Sequence, residues 1–121
     1  MSSFAVIKVH NKKEHFYICR YSDGYPKNVL NDLEKFIADY FDFYKLSNYV
    51  GFFKIQIEDF VTKFLVKYHN KGGYVIVSDV YGYENYLYEV EIIPNENRIW
   101  YSEVKNFNKI EVKQKGLTSN K

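Results

Sequence analysis

From Val29 to Tyr68 the apolar residues recur at spacings of three and four, while on both sides of that stretch they alternate with polar ones. The first pattern builds a helix with one buried stripe, and the second builds a strand with one buried face. Val29, Leu30, Leu33, Phe36, Ile37, Tyr40 and Phe41 form one stripe. Ile57, Phe60, Val61, Phe64, Leu65 and Tyr68 form a second. These predict helices from Pro26 to about Phe41 and from about Ile55 to Tyr68, with Asp42–Phe53 ambiguous between them. Strands are predicted at Phe4–Val9, Glu14–Tyr21, Tyr74–Val80, Tyr86–Ile93 and Arg98–Val104. The order is β-β-α-α-β-β-β. Helices and strands are segregated, which predicts an α+β fold: a five-stranded antiparallel sheet with two helices on one face.

The joints carry their own signals. Residues 10–13, His-Asn-Lys-Lys, have hairpin-loop length. In Ser22-Asp23-Gly24-Tyr25-Pro26, glycine suits a positive φ and proline suits the first helical position. Gly72-Gly73 ends the second helix in the manner of a C-cap. Strand alternation places His15, Tyr17, Cys19 and Tyr21 on one face and Phe16, Ile18 and Arg20 on the other. Likewise Tyr86, Tyr88, Val90 and Ile92 oppose Glu89 and Glu91.

With 121 residues the chain fits one domain, read here as residues 1–104, followed by a basic, flexible tail over 105–121. The net charge of +2 divides unevenly: the tail carries five lysines and one glutamate, which leaves the body at −2. One cysteine excludes an internal disulfide framework and suits a reducing compartment. The N-terminus lacks the pattern of a signal peptide, and no apolar run approaches the roughly 20 residues that span a bilayer. The expected location is the cytoplasm of a host cell, without a membrane partner.

Three ordered motifs carry a resemblance. Tyr21-Ser22-Asp23-Gly24-Tyr25-Pro26 ends a hairpin and opens a helix, Gly72-Gly73-Tyr74-Val75 starts a strand, and Tyr86-Leu87-Tyr88-Glu89-Val90 follows an acidic-aromatic loop. Up to about Ser102 the chain resembles a group of small phage- and prophage-encoded proteins that share an Asp-Gly-Tyr-Pro turn, a Gly-Gly-aromatic strand start and a Tyr-x-Tyr-x-Val strand. It lacks the Gly-Thr-Arg-Ser stretch with which those proteins often begin. The resemblance implies a viral or mobile-element setting and supplies no catalytic residues.

Chemistry-bearing spacing is sparse. His15 and Cys19 share a strand face but stand about 13 Å apart along the strand, too far for one metal. Cys19 has no protease-like surroundings, and the six glycines form no phosphate loop. No metal, cofactor or catalytic residue is expected. The surplus lies in 13 tyrosines and 10 phenylalanines. Tyrosine joins an apolar ring to a polar tip and favours interfaces. The first expectation is therefore a non-catalytic binding protein that sequesters a small anionic ligand or blocks a host protein. Its contacts would be Arg20, Asp23, Tyr25 and Tyr83, with self-association as a further use of exposed aromatics. The helix N-terminus after Asp23 offers free N–H groups for an anion, unless Asp23 or Ser22 caps them. A second expectation is a single-stranded nucleic-acid binder using tyrosines to stack bases and Lys105, Lys109, Lys113 and Lys115 on phosphates. A third is a small hydrolase or nuclease built on Asp23 and a second carboxylate.

Overall fold

The computed structural model describes residues 3–47, 55–94, 98–104 and 115–118, the last four together with 43–47 as backbone only. Its elements are β1 (Ala5–His10), β2 (His15–Arg20), α1 (Pro26–Ser47), α2 (Ile57–Gly72), β3 (Val75–Val77), β4 (Tyr86–Ile93), β5 (Arg98–Val104) and β6 (Lys115–Thr118). The α+β class and both helices match the periodicity. Residues 48–54, within the ambiguous segment, lie outside the described residues, as do 95–97 in the expected turn before β5.

The sheet differs from expectation in two ways. It has six strands in the order β3-β2-β1-β4-β5-β6, and the β1–β4 pair is parallel, so the sheet is mixed rather than antiparallel. The eight residues between β3 and β4 have hairpin-like length, yet these strands do not pair. Instead the segment passes β2 and β1 to reach the far side of β1. Three strand spacings make about 14 Å, and eight extended residues reach about 26 Å, so the crossing is within range. Nothing local distinguishes this path from a hairpin. The sixth strand, β6, falls inside the tail read as flexible, and it pairs antiparallel with β5 from Arg98↔Thr118 to Tyr101↔Lys115.

The helices cover one face of the sheet. Ala5, Ile7 and Val9 of β1, Ile18 of β2, Tyr88, Val90 and Ile92 of β4, and Ile99 and Tyr101 of β5 join the helical stripes in a single core. Phe36 is the aromatic centre of that core, edge-on to both Phe60 and Phe64 at 5.1 and 5.2 Å. Burying rings of this size stabilises by about 1.5–3 kcal/mol each relative to leaving them exposed.

A polar network sits inside this layer. Arg20 Nη1 donates to Asp32 Oδ2 of α1 at 3.2 Å and to the Tyr74 hydroxyl at 3.1 Å, while Tyr74 donates to the same Asp32 oxygen at 2.9 Å. The guanidinium also lies 5.2 Å from the centre of the Tyr74 ring. Burial pushes the Tyr74 hydroxyl well above its ordinary pKa, the Arg20 bond opposes that shift, and the Asp32 charge adds to it.

The turn before α1 owes its glycine to crowding. The positive φ expected at Gly24 belongs to Asp23, at 57°. A Cβ on Gly24 would stand 2.5 Å from the Ala5 Cβ and 2.8 Å from the Ser3 carbonyl oxygen. With no Cβ, Gly24 donates its N–H to Ser3 at 2.8 Å, and its carbonyl accepts from Tyr88 at 2.7 Å. Gly73 does end α2 in the left-handed region (φ 69°), with its N–H on the His69 carbonyl at 2.7 Å.

Candidate functional site

The face away from the helices carries the side chains that the core does not use. Strand register arranges them in three rows. His15, His10, Glu91 and Trp100 stand opposite one another across β2, β1, β4 and β5. Tyr17, Lys8, Glu89 and Ser102 form the next row, and Cys19, Val6, Leu87 and Val104 the third. Directly opposed residues share a face, so each row is a line of neighbours.

Around the apolar third row, the segment between β3 and β4 builds an aromatic corner. The Glu84 carboxylate, 1% exposed, accepts the backbone N–H groups of Tyr81 and Gly82 and so curls the segment around itself. Gly82 takes a φ of 93° within that curl. Asn85 and Tyr86 donate backbone N–H groups to the Phe4 carbonyl at 2.9 and 3.1 Å, and Phe4 N–H donates back to Asn85 Oδ1 at 2.9 Å. Phe4 then holds three rings: Tyr21 stacked at 5.5 Å, Tyr81 tilted at 5.2 Å and Tyr83 stacked at 5.7 Å. The hydroxyls of Tyr21 and Tyr81 meet at 3.3 Å. That bond is the main reason the Tyr21 pKa rises to about 12. Despite this packing, Tyr21, Tyr81 and Tyr83 remain 54%, 42% and 69% exposed.

Beneath the corner lies Cys19, fully buried. Burial pushes its thiol up to about 11; a hydrogen bond to Tyr21 pulls it down, and the Glu84 charge pushes it further up. A thiol held protonated at neutral pH is a poor nucleophile.

Of the four residues singled out in the sequence for ligand contacts, only Tyr83 belongs to this corner. Arg20 points to the helix face, where Asp32, Tyr74 and the Ser22 carbonyl take its donors. Asp23 is exposed, and its backbone carbonyl accepts from Asn28 Nδ2 at 2.9 Å. Its carboxylate does not cap α1. In the first turn, the N–H groups of Asn28 and Val29 go to the Tyr25 carbonyl, both at 2.9 Å. Tyr25 stands edge-on to Tyr86 at 6.2 Å, on the side of the core. Phe4, the ring on which the corner is assembled, is the first residue of the first strand predicted from the sequence; it lies just before β1, and nothing in its local spacing marks it as the partner of Tyr21, Tyr81 and Tyr83. Lys105, Lys109 and Lys113 lie outside the described residues, and Lys115 opens β6.

At the other end of the open face, His10 Nε2 lies 2.6 Å from Glu89 Oε2, and the Lys12 ammonium lies 3.6 Å from Glu91 Oε2. One donor atom each from His10, Glu89 and Glu91 falls within 4.8 Å of the other two. Ligand spacing along one strand excludes a metal between His15 and Cys19, but it does not see this group, which forms between two strands and pairs residues 79 positions apart. A groove of about 250 Å³, lined by Asn11, Lys12, Glu91, Ile92, Ile93 and Pro94, adjoins it.

Compared with protein-family models, curated proteins and solved structures, the chain has no significant match in any of the three. Among the described residues, no helix is long and apolar enough to cross a membrane.

Proposed function

We propose that the chain is a non-catalytic binding protein that engages a partner protein through the corner formed by Phe4, Tyr21, Tyr81 and Tyr83. The observation that carries this reading is the exposure of three adjacent tyrosines on a backbone fixed by Glu84 and Asn85. Rigid aromatics lose little entropy on contact, and tyrosine is enriched at interface hot spots. A small anion is a weaker fit, because the Arg20 guanidinium is committed to Asp32 and Tyr74. The exposed acids Asp23 and Asp79 also disfavour phosphate, and hence nucleic acid. The resemblance to phage and prophage proteins supports a host protein as the partner to be blocked.

The test compares wild type with the Tyr21→Ser/Tyr83→Ser double variant, each used to retain proteins from a host-cell lysate. A host protein retained by wild type and lost by the variant, at unchanged thermal midpoint, is the expected result. Equal retention by both would remove the corner from the interface. Oligonucleotide binding at low salt that the double substitution abolishes would replace the protein partner with nucleic acid.

A further inference from the structure

We infer that His10, Glu89 and Glu91 form a binding site for a divalent transition-metal ion. The parallel register of β1 and β4 sets His10 opposite Glu91, and Glu89 follows two residues before on the same face. Their donor atoms already stand within 4.8 Å of one another. A four-coordinate ion with bonds of about 2.0–2.2 Å holds neighbouring donors roughly 3.3 Å apart. Side-chain rotation alone covers the difference. The metal takes the place of the hydrogen bond between His10 Nε2 and Glu89 Oε2, and binds the imidazole tautomer that carries its proton on Nδ1.

Charge favours the same occupant. Two partly buried carboxylates this close repel one another. Lys12 offsets this weakly, since its side chain is 78% exposed and its ammonium is screened by water. A divalent ion between the three ligands removes the repulsion.

A second observation, independent of the ligands, points into the same place. Ser102 stands opposite Glu89 on β5 and shares its face. It is 3% exposed, and its Oγ has no hydrogen-bond partner among the described residues. A buried hydroxyl left in that state has lost its water without a replacement partner, which is unfavourable. A water on the metal, or the free oxygen of a metal-bound Glu89, supplies the missing partner. The groove beside Glu91 leaves room for such water and a path for the ion. One imidazole nitrogen with two carboxylate oxygens and no thiolate suits Zn2+ or Mn2+ better than Cu(I), and better than Mg2+, which prefers oxygen alone.

The chain's one tryptophan reports on the site, because Trp100 stands opposite Glu91 on the same face. Tag-free protein stripped with chelator is titrated with ZnCl2 by calorimetry and with CoCl2 while Trp100 emission is followed. The expected result is one Zn2+ per chain, a raised thermal midpoint and quenching by Co2+. His10→Ala and the Glu89→Gln/Glu91→Gln pair should each weaken Zn2+ binding at least about tenfold. The glutamine pair keeps side-chain shape and relieves repulsion, so a folded variant is assured by its own melting curve. Absence of Zn2+ binding would overturn the site. So would unchanged affinity in the variants, which would place the ion elsewhere, at His15 or His69.

Discussion

The two faces of the sheet obey different rules. The helix face is an apolar layer, with a polar break where Arg20, Asp32 and Tyr74 satisfy one another. The open face is a set of rows whose chemistry changes along the strands, from His10 and Glu91 at one end to Cys19 and Val6 at the other. On the helix face a residue matters through the volume that it fills. On the open face it matters through the neighbour that register gives it. Stability is concentrated on the first, and the candidate contacts are on the second.

The sharpest way to break that contrast is truncation on each side. Phe64→Ala, in the centre of the core, should cost about 3–5 kcal/mol by urea denaturation. Tyr83→Ala, on the open face, should stay within about 0.5 kcal/mol. Equal losses would mean that the aromatic corner is structural. A smaller effect is expected at the polar break in the core. Asp32→Ala leaves Arg20, 11% exposed at its side chain, without its carboxylate, and should cost about 2–3 kcal/mol by the same measurement. Restoration by the further change Arg20→Met would show that the loss is the stranded charge rather than lost packing.

A further effect concerns the protonation of buried groups on both faces. The Cys19 pKa is raised in the folded chain, so its contribution to stability is whole below about pH 9 and is lost as pH rises towards about 11. Tyr74 and Tyr88, both raised by burial, extend the loss further into alkali. Urea midpoints should therefore fall from pH 9 upward, and Cys19→Ala should lessen the first part of that fall. An unchanged slope would assign all of it to the tyrosines.

Much of the helix face was legible in advance. The spacing of Phe36, Phe60 and Phe64 marks a buried stripe wherever the helix lies, and alternation in β4 sorts Tyr88 from Glu89 without knowledge of its neighbours. The site residues were less legible. Arg20 reads as a free cation until Asp32 and Tyr74 arrive beside it, and Tyr83 reads as one tyrosine among many until Phe4 gathers it with Tyr21 and Tyr81.

What the sequence alone determined is therefore the inventory: two amphipathic helices, the facing of the residues in β2 and β4, the end of α2 at Gly73 and the excess of tyrosine. These follow from periods of two and 3.6 residues, which are properties of the local backbone. Tertiary structure decided the strand order, the parallel β1–β4 pair and the sixth strand from the tail. Through them it decided that His10 meets Glu89 and Glu91, and that Phe4 meets Tyr83. Such meetings depend on which strand edge a connection reaches. The eight residues between β3 and β4 are long enough for a hairpin and for a crossing alike, so the choice rests with the packing of the whole sheet.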